Sequence, residues 1–229
     1  MVCAVHAPNL FPYYGLFKKI VNSDVFVFLD DSQMPPVSKL GYLNKVGMNI
    51  HGIEQWIQIP LKNESYIKVK DIEFTDDEWR REIQRKIYHN YCTAKYFAEN
   101  ENFVFNTLLS GENNLAKYNI NAIIKFCLYF EIERKFGKSS DVKVEARKME
   151  RMALITKKFD CDTYLCGVSG EGYKDNSEFS KYDVKLKVNN YKPIEYEPNK
   201  SLGLSNGLSI IDILFRVGRV ELSKQLKAK

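Results

Sequence analysis

The chain is poor in the residues that most often announce a chemistry. It has three histidines, His6, His51 and His89, spaced too far apart in sequence to suggest a metal site. The five cysteines, Cys3, Cys92, Cys127, Cys161 and Cys166, are odd in number and lack any paired C-x-x-C spacing, so neither a disulfide framework nor a zinc ribbon is indicated. They read as reduced thiols, most of them buried. No apolar run approaches the roughly 20 residues of a membrane span. The N-terminus lacks a basic patch, a long apolar stretch and a cleavage site, so a cytoplasmic location is expected. There is also little surplus charge outside the tail: of the net +5, the last fourteen residues supply most, with Arg216, Arg219, Lys224, Lys227 and Lys229 against Glu221. The remainder is close to neutral, and the basic stripe that phosphate-backbone binding needs is missing, which excludes nucleic acid as the primary ligand.

What is present is material for a core. Hydrophobic residues make up 45% of the 229 and charged residues 28%, with 14 Phe and 14 Tyr to fill an interior. That length exceeds one nominal domain of about 150 residues without reaching two. The expected organisation is a single compact α/β domain over 1–229, with an insertion or lobe over 35–135 that is β-rich over 40–74 and α-rich over 75–135.

The first thirty residues carry the clearest pattern: an apolar run Val2 to Val5, a loop His6 to Pro12, an amphipathic stretch to Val21, then Val25 to Leu29. Leu16, Phe17, Ile20 and Val21 form one helical face, and Lys18 and Lys19 are expected to point outward. Val25-Phe26-Val27-Phe28-Leu29 is apolar on both alternating faces, as a central parallel strand should be. Pro12 is expected in the first helical turn. Downstream, alternation predicts strands at Gln55 to Ile59 and Ile67 to Ile72, and Thr75 to Glu78 has the form of a capping box. Helices follow at about Phe97 to Leu109, Asn114 to Phe130 and Val144 to Lys158. A strand at Thr163 to Cys166, a glycine-rich loop, a strand at Val184 to Val188 and a helix from Leu208 complete the chain. The fold class expected is α/β: a mostly parallel Rossmann-like sheet with helices on both faces, plus a β then α insertion.

In such sheets ligands gather at the carboxyl ends of the strands. His6 and the pair Asp30-Asp31 stand there, and they are the candidate catalytic residues. A helix start beside His6 would disfavour its protonation, leaving a neutral imidazole able to act as base or donor; the alternative is an imidazole satisfied by a backbone carbonyl. For Asp30 and Asp31 the alternative is turn chemistry. Asn119 lies on the apolar stripe of its helix, where a buried amide must find a partner in substrate or in a loop backbone. Asp212 sits among Ile210, Ile211, Ile213 and Leu214, and Ser209 to Asp212 also fits a capping box. Gly167 to Gly172 matches neither phosphate-loop spacing.

These residues fall in segments that resemble the WbqC-like protein family, bacterial proteins associated with O-antigen and other surface-polysaccharide gene sets. The likeness rests on His6-Ala7-Pro8-Asn9-Leu10-Phe11-Pro12-Tyr13-Tyr14-Gly15, on Asp24 to Gln33, and on Leu208-Ser209-Ile210-Ile211-Asp212-Ile213-Leu214-Phe215. Weaker agreement runs through Asn44-Lys45, Tyr91 to Phe97, Asn119, Ser139-Ser140, Tyr164 to Gly167, Tyr173 and Phe179. One departure lies between Gln33 and Asn44, where the family's basic and aromatic run is reduced to Met34 to Lys39 with a single positive charge.

The resemblance implies an enzyme of sugar or glycan biosynthesis that transfers an acyl or aminoacyl group to the amine of a nucleotide-linked amino sugar, with a sugar nucleotide and an acyl donor as partners. It adds Pro8, Asn9, Tyr13, Gln33, Asn44, Lys45, Asn119, Ser169, Tyr173 and Asp212 as substrate-binding candidates. No metal ligand is assigned, the cofactor is unknown, and a homo-oligomer is compatible. Two alternatives stand beside it. One is a nucleotidylyltransferase-like enzyme, although Leu10 occupies the position where a second histidine would be wanted. The other is a non-catalytic protein that binds a sugar nucleotide or a partner enzyme.

Overall fold

The computed structural model describes residues 1–33, 42–62, 67–167, 177–196 and 207–228. In chain order its strands are β1 (Val2–His6), β2 (Val25–Phe28), β3 (Lys45–Ile50), β4 (Ile53–Gln58), β5 (Lys135–Lys138), β6 (Thr163–Cys166) and β7 (Lys185–Val188). The helices are α1 (Tyr14–Val21), α2 (Glu78–Tyr91), α3 (Phe97–Leu108), α4 (Leu115–Tyr129), α5 (Lys148–Lys158), α6 (Ser177–Ser180), α7 (Ile210–Val217) and α8 (Arg219–Lys227). The fold is α/β, a five-stranded parallel sheet flanked by helices with a separate antiparallel hairpin. Contacts group the chain into two units, one of Met1–Ala7, Gly15–Ser32 and Glu133–Lys192, the other of Pro8–Tyr14, Gln33–Ile132 and Pro193–Lys229.

The first unit holds the parallel sheet in the order β5-β2-β1-β6-β7. Numbered within the sheet, that is the order 3-2-1-4-5 of a doubly wound fold, with the strand order reversing between β1 and β6. Sequence sets the positions. The continuous Val25-Phe26-Val27-Phe28 run is buried at every residue and lies inside the sheet. The edge strands β5 and β7 carry Lys135, Lys138, Lys185 and Lys187, which expose charge where a further strand would otherwise pair. On one face Cys3, Val5, Val25, Val27, Tyr164 and Cys166 pack with Ala153, Ile155 and Phe179. Each such Val or Phe contributes roughly 1.5–3 kcal/mol on burial. Phe28 stacks on Phe136 at 5.7 Å.

The second unit contains the β3–β4 hairpin, whose two-residue turn places His51 and Gly52 at φ +50° and +86°. A type I′ turn requires two such residues. Its aromatic core includes Phe74, Trp79, Tyr118, Phe126 and Phe11, with the buried Arg80 guanidinium over the Trp79 ring at 4.6 Å. Gly218, at φ +87°, separates α7 from α8, and a Cβ there would meet the Tyr96 ring at 2.7 Å.

Several local expectations need correction. Residues 69–71 form a 3-10 turn rather than a strand, because Val69 and Ile72 are buried while the chain turns between them. The Thr75 box does not form: α2 starts at Glu78, and the Glu78 N–H is met by Asp76 Oδ1 at 2.9 Å. Pro12 lies before α1 rather than in its first turn, and its carbonyl accepts from the Ile210 N–H at 2.9 Å. Strand β5 escaped sequence reading because Lys-Phe-Gly-Lys offers a single apolar side chain. Lys18 and Lys19 do not face solvent; both are buried.

Candidate active site at the carboxyl edge of the sheet

Parallel register aligns Cys3 to His6 of β1 with Val25 to Phe28 of β2, and the Leu29 N–H donates to the His6 carbonyl at 2.8 Å. His6 and Asp30 therefore stand at the same edge, at the ends of neighbouring strands. On the far side of β2, β5 ends at Lys138 and runs into the 3-10 turn Ser139–Asp141. This edge of the first unit gathers the three catalytic candidates.

Their partners differ. The His6 ring is half-buried, and its Nδ1 lies 2.9 Å from the Ala7 carbonyl oxygen. A carbonyl can only accept, so Nδ1 carries the proton and Nε2 presents a lone pair. Burial, then the positive charge of Lys19, lowers the His6 pKa to about 4. Desolvation and a neighbouring cation thus keep the imidazole neutral at pH 7.

Asp30 and Asp31 turn to the β5 side. Asp30 accepts from Ser139 Oγ at 3.2 Å, from the Ser140 N–H at 3.0 Å and from Ser140 Oγ at 2.7 Å. Asp31 accepts from Ser139 Oγ, and from the Arg151 guanidinium at 2.5 Å. Two adjacent acids thus anchor the Ser139-Ser140 turn and α5 to the end of β2. Neither hydrogen-bonds the His6 imidazole.

Lys19 is the residue that sequence reading missed. The β1–β6 ladder pairs Val2 to Ala4 with Thr163 to Leu165 and stops there. The next carbonyl, that of Val5, accepts instead from Lys19 Nζ at 2.9 Å. The ammonium lies 5.9 Å from the Tyr164 ring centroid, and the residue is only 5% exposed. The helical wheel gave a signal: Lys19 sits about 60° from Leu16, on the flank of the apolar face, where a long stem can fold under the helix.

The remaining candidates belong mostly to the second unit, around the loop Pro8 to Tyr13. Asn119 is fully buried and donates through Nδ2 to the carbonyls of Pro8 and Leu43 at 2.8 and 2.9 Å. The Leu10 N–H donates to the Tyr42 carbonyl at 2.9 Å, and Tyr13 packs on Tyr42 at 5.3 Å. Asn9 is buried in the same loop, and Phe11 is held at φ +37° between Tyr118 and Phe126. A bulky residue in that region marks a loop whose shape its surroundings impose. Asn44 donates to the Ile59 carbonyl at 2.9 Å, and Lys45 opens β3, half-buried. The Oδ1 atoms of Asn44 and Asn119 have no partner among the described residues.

Gln33 is exposed and bridges to Lys68. Asp212 does not close a capping box. Ser209 caps α7 by accepting from the Ile211 N–H, whereas the fully buried Asp212 carboxylate accepts from Tyr91 OH at 2.7 Å, from Tyr196 OH, and from Arg216 Nε at 3.3 Å. Ser169 and Tyr173 lie outside the described residues. A cleft of about 370 Å³ in the second unit, lined by Trp56, Gln58, Glu78, Trp79 and Glu82 among others, contains none of the candidates. All five cysteines are free, four of them buried. Among the described residues no group of three metal-binding side chains occurs, and no helix is long and apolar enough to cross a membrane.

The profile of the WbqC-like protein family matches residues 7–224. The chain is 26% identical over 220 residues to the uncharacterized protein Rv1507c of Mycobacterium tuberculosis (strain ATCC 25618 / H37Rv), an alignment covering 94% of this chain and 93% of that relative. No solved structure matches.

Proposed function

From the premise that the chain belongs to the WbqC-like protein family, we propose that it is an enzyme of sugar or glycan biosynthesis that transfers an acyl or aminoacyl group to the amine of a nucleotide-linked amino sugar. One observation carries the reading: a neutral His6 at the reversal point of a parallel sheet, its Nδ1–H held by Ala7 and its Nε2 lone pair left to receive a proton.

In this reaction the amine nitrogen attacks the donor carbonyl carbon, a C–N bond forms, and the carbonyl electron pair moves to oxygen. The adduct's nitrogen is then positively charged and far more acidic than the free ammonium. His6 Nε2 takes its proton, and the leaving group departs as the carbonyl reforms. An imidazole with a low pKa suits this late proton loss better than deprotonation of a free ammonium, so the amine must arrive neutral. In this scheme Asp30 and Asp31 are positioning residues, fixing the Ser139-Ser140 turn and α5 beside β2.

Nucleotidyl transfer through Mg²⁺ on Asp30 and Asp31 is less well supported, because their oxygens already accept from Ser139, Ser140 and Arg151. The experiment is an acylation assay with purified protein, using nucleotide-linked amino sugars and acyl or aminoacyl thioesters. His6→Gln should remove turnover while leaving the circular dichroism spectrum unchanged. Near-normal turnover in that variant would overturn the base assignment.

A further inference from the structure

A buried lysine is costly unless its charge is met. Lys19 has one hydrogen bond, to the Val5 carbonyl, and no carboxylate pairs with it among the described residues. The carbonyl it caps lies on the β6 side of β1, where the ladder has ended and the strand order reverses. In open α/β sheets this crevice is where ligands sit. Among the described residues the acids of the edge are occupied, Asp30 and Asp31 bonding Ser139, Ser140 and Arg151, and His6 is neutral. Lys19 thus holds a cation with spare N–H donors at the reversal point, against Tyr164 and close to the buried Cys166 and Cys3.

We propose that Lys19 is the anion anchor of this crevice, donating to a phosphoryl or carboxylate oxygen of the substrate, and that a phosphoryl oxygen of the nucleotide diphosphate is its natural occupant. The proposal rests on reading the carboxyl edge as the substrate site and adds to it the group that receives the charged end of the substrate. Burial pulls the lysine pKa down to about 8, an effect that Cys166 and Cys3 partly offset, so an ammonium still predominates at neutral pH but without a counter-charge. A protein that needed Lys19 for structure alone would satisfy the Val5 carbonyl more cheaply with the backbone of β6. Lysine suits a phosphoryl group as a compact point charge with rotatable donors.

The test is thermal unfolding of the full chain with sodium pyrophosphate or sodium acetate, at constant ionic strength, for the native protein, Lys19→Met and His6→Gln. Pyrophosphate should raise the midpoint of the native protein and of His6→Gln, with a dissociation constant roughly ten- to a hundredfold weaker in Lys19→Met, as expected for a lost charge-assisted bond. A response to acetate alone would assign a carboxylate as occupant and overturn the phosphoryl choice. No response to either anion, or an equal response in Lys19→Met, would overturn the anchor. Should Lys19→Met fail to fold, 15N-lysine spectra of the native protein decide: the lysine with the lowest titration midpoint must move upward on adding pyrophosphate, and an unmoved midpoint refutes the proposal. Because His6→Gln is expected to keep the anion response, failure of the base assignment and failure of the anchor are separable.

Discussion

Replacing Lys19 by Met should make His6 easier to protonate, and the size of the change follows from the structure. The His6 pKa falls from 6.5 to about 4, burial being the larger cause and Lys19 the next. The lysine is the smaller of the two lowering causes, so its removal should raise the midpoint by roughly one unit. At pH 5.5 the native imidazole would then be about 3% protonated and that of the variant about a quarter, against about 90% for an unperturbed histidine.

Three histidines make the imidazole region of an NMR spectrum simple to assign, with His6→Gln identifying the signal. The 15N shifts should also report the Nδ1–H tautomer that the Ala7 carbonyl selects. The same displacement links to stability. Between pH 6.5 and about 4 the unfolded chain binds a proton that the folded imidazole refuses, so stability is lost as pH falls through that window. The loss is at most about 3 kcal/mol, and less because the ring is only partly buried. A native His6 midpoint near 6.5, or a midpoint unmoved or lowered by Lys19→Met, would refute the reasoning.

Two further outcomes concern stability. Asp212→Asn weakens a buried carboxylate that serves Tyr91, Tyr196 and Arg216, and should cost about 3 kcal/mol in urea denaturation; a loss below about 1 kcal/mol would show that the cluster repacks freely. Gly137→Ala places a Cβ 2.3 Å from the Phe159 ring, and should lower stability by about 1–3 kcal/mol unless that ring swings away. An unchanged urea midpoint would show that it does.

Features that depend on near neighbours along the chain were readable from residue order. The Val25 to Phe28 run set a central strand, because apolar side chains on both faces can be buried only between two covered surfaces. His6 and Asp30 were legible as edge residues because each follows an apolar run that reads as a strand. Ser209 was legible as a helix start because capping is a local bond. Tertiary structure decided which groups meet. Asp30 and Asp31 bond serines more than a hundred positions away rather than His6, since β5 is placed beside β2 by a connection no local pattern reveals. Asn119 holds two loops, and Asp212 gathers two tyrosines and an arginine instead of capping its helix, because burial forces each polar group to find partners wherever packing brings them. Lys19 changed most, from a surface charge to a buried one, since its side of α1 became interior only when β6 was placed beside β1.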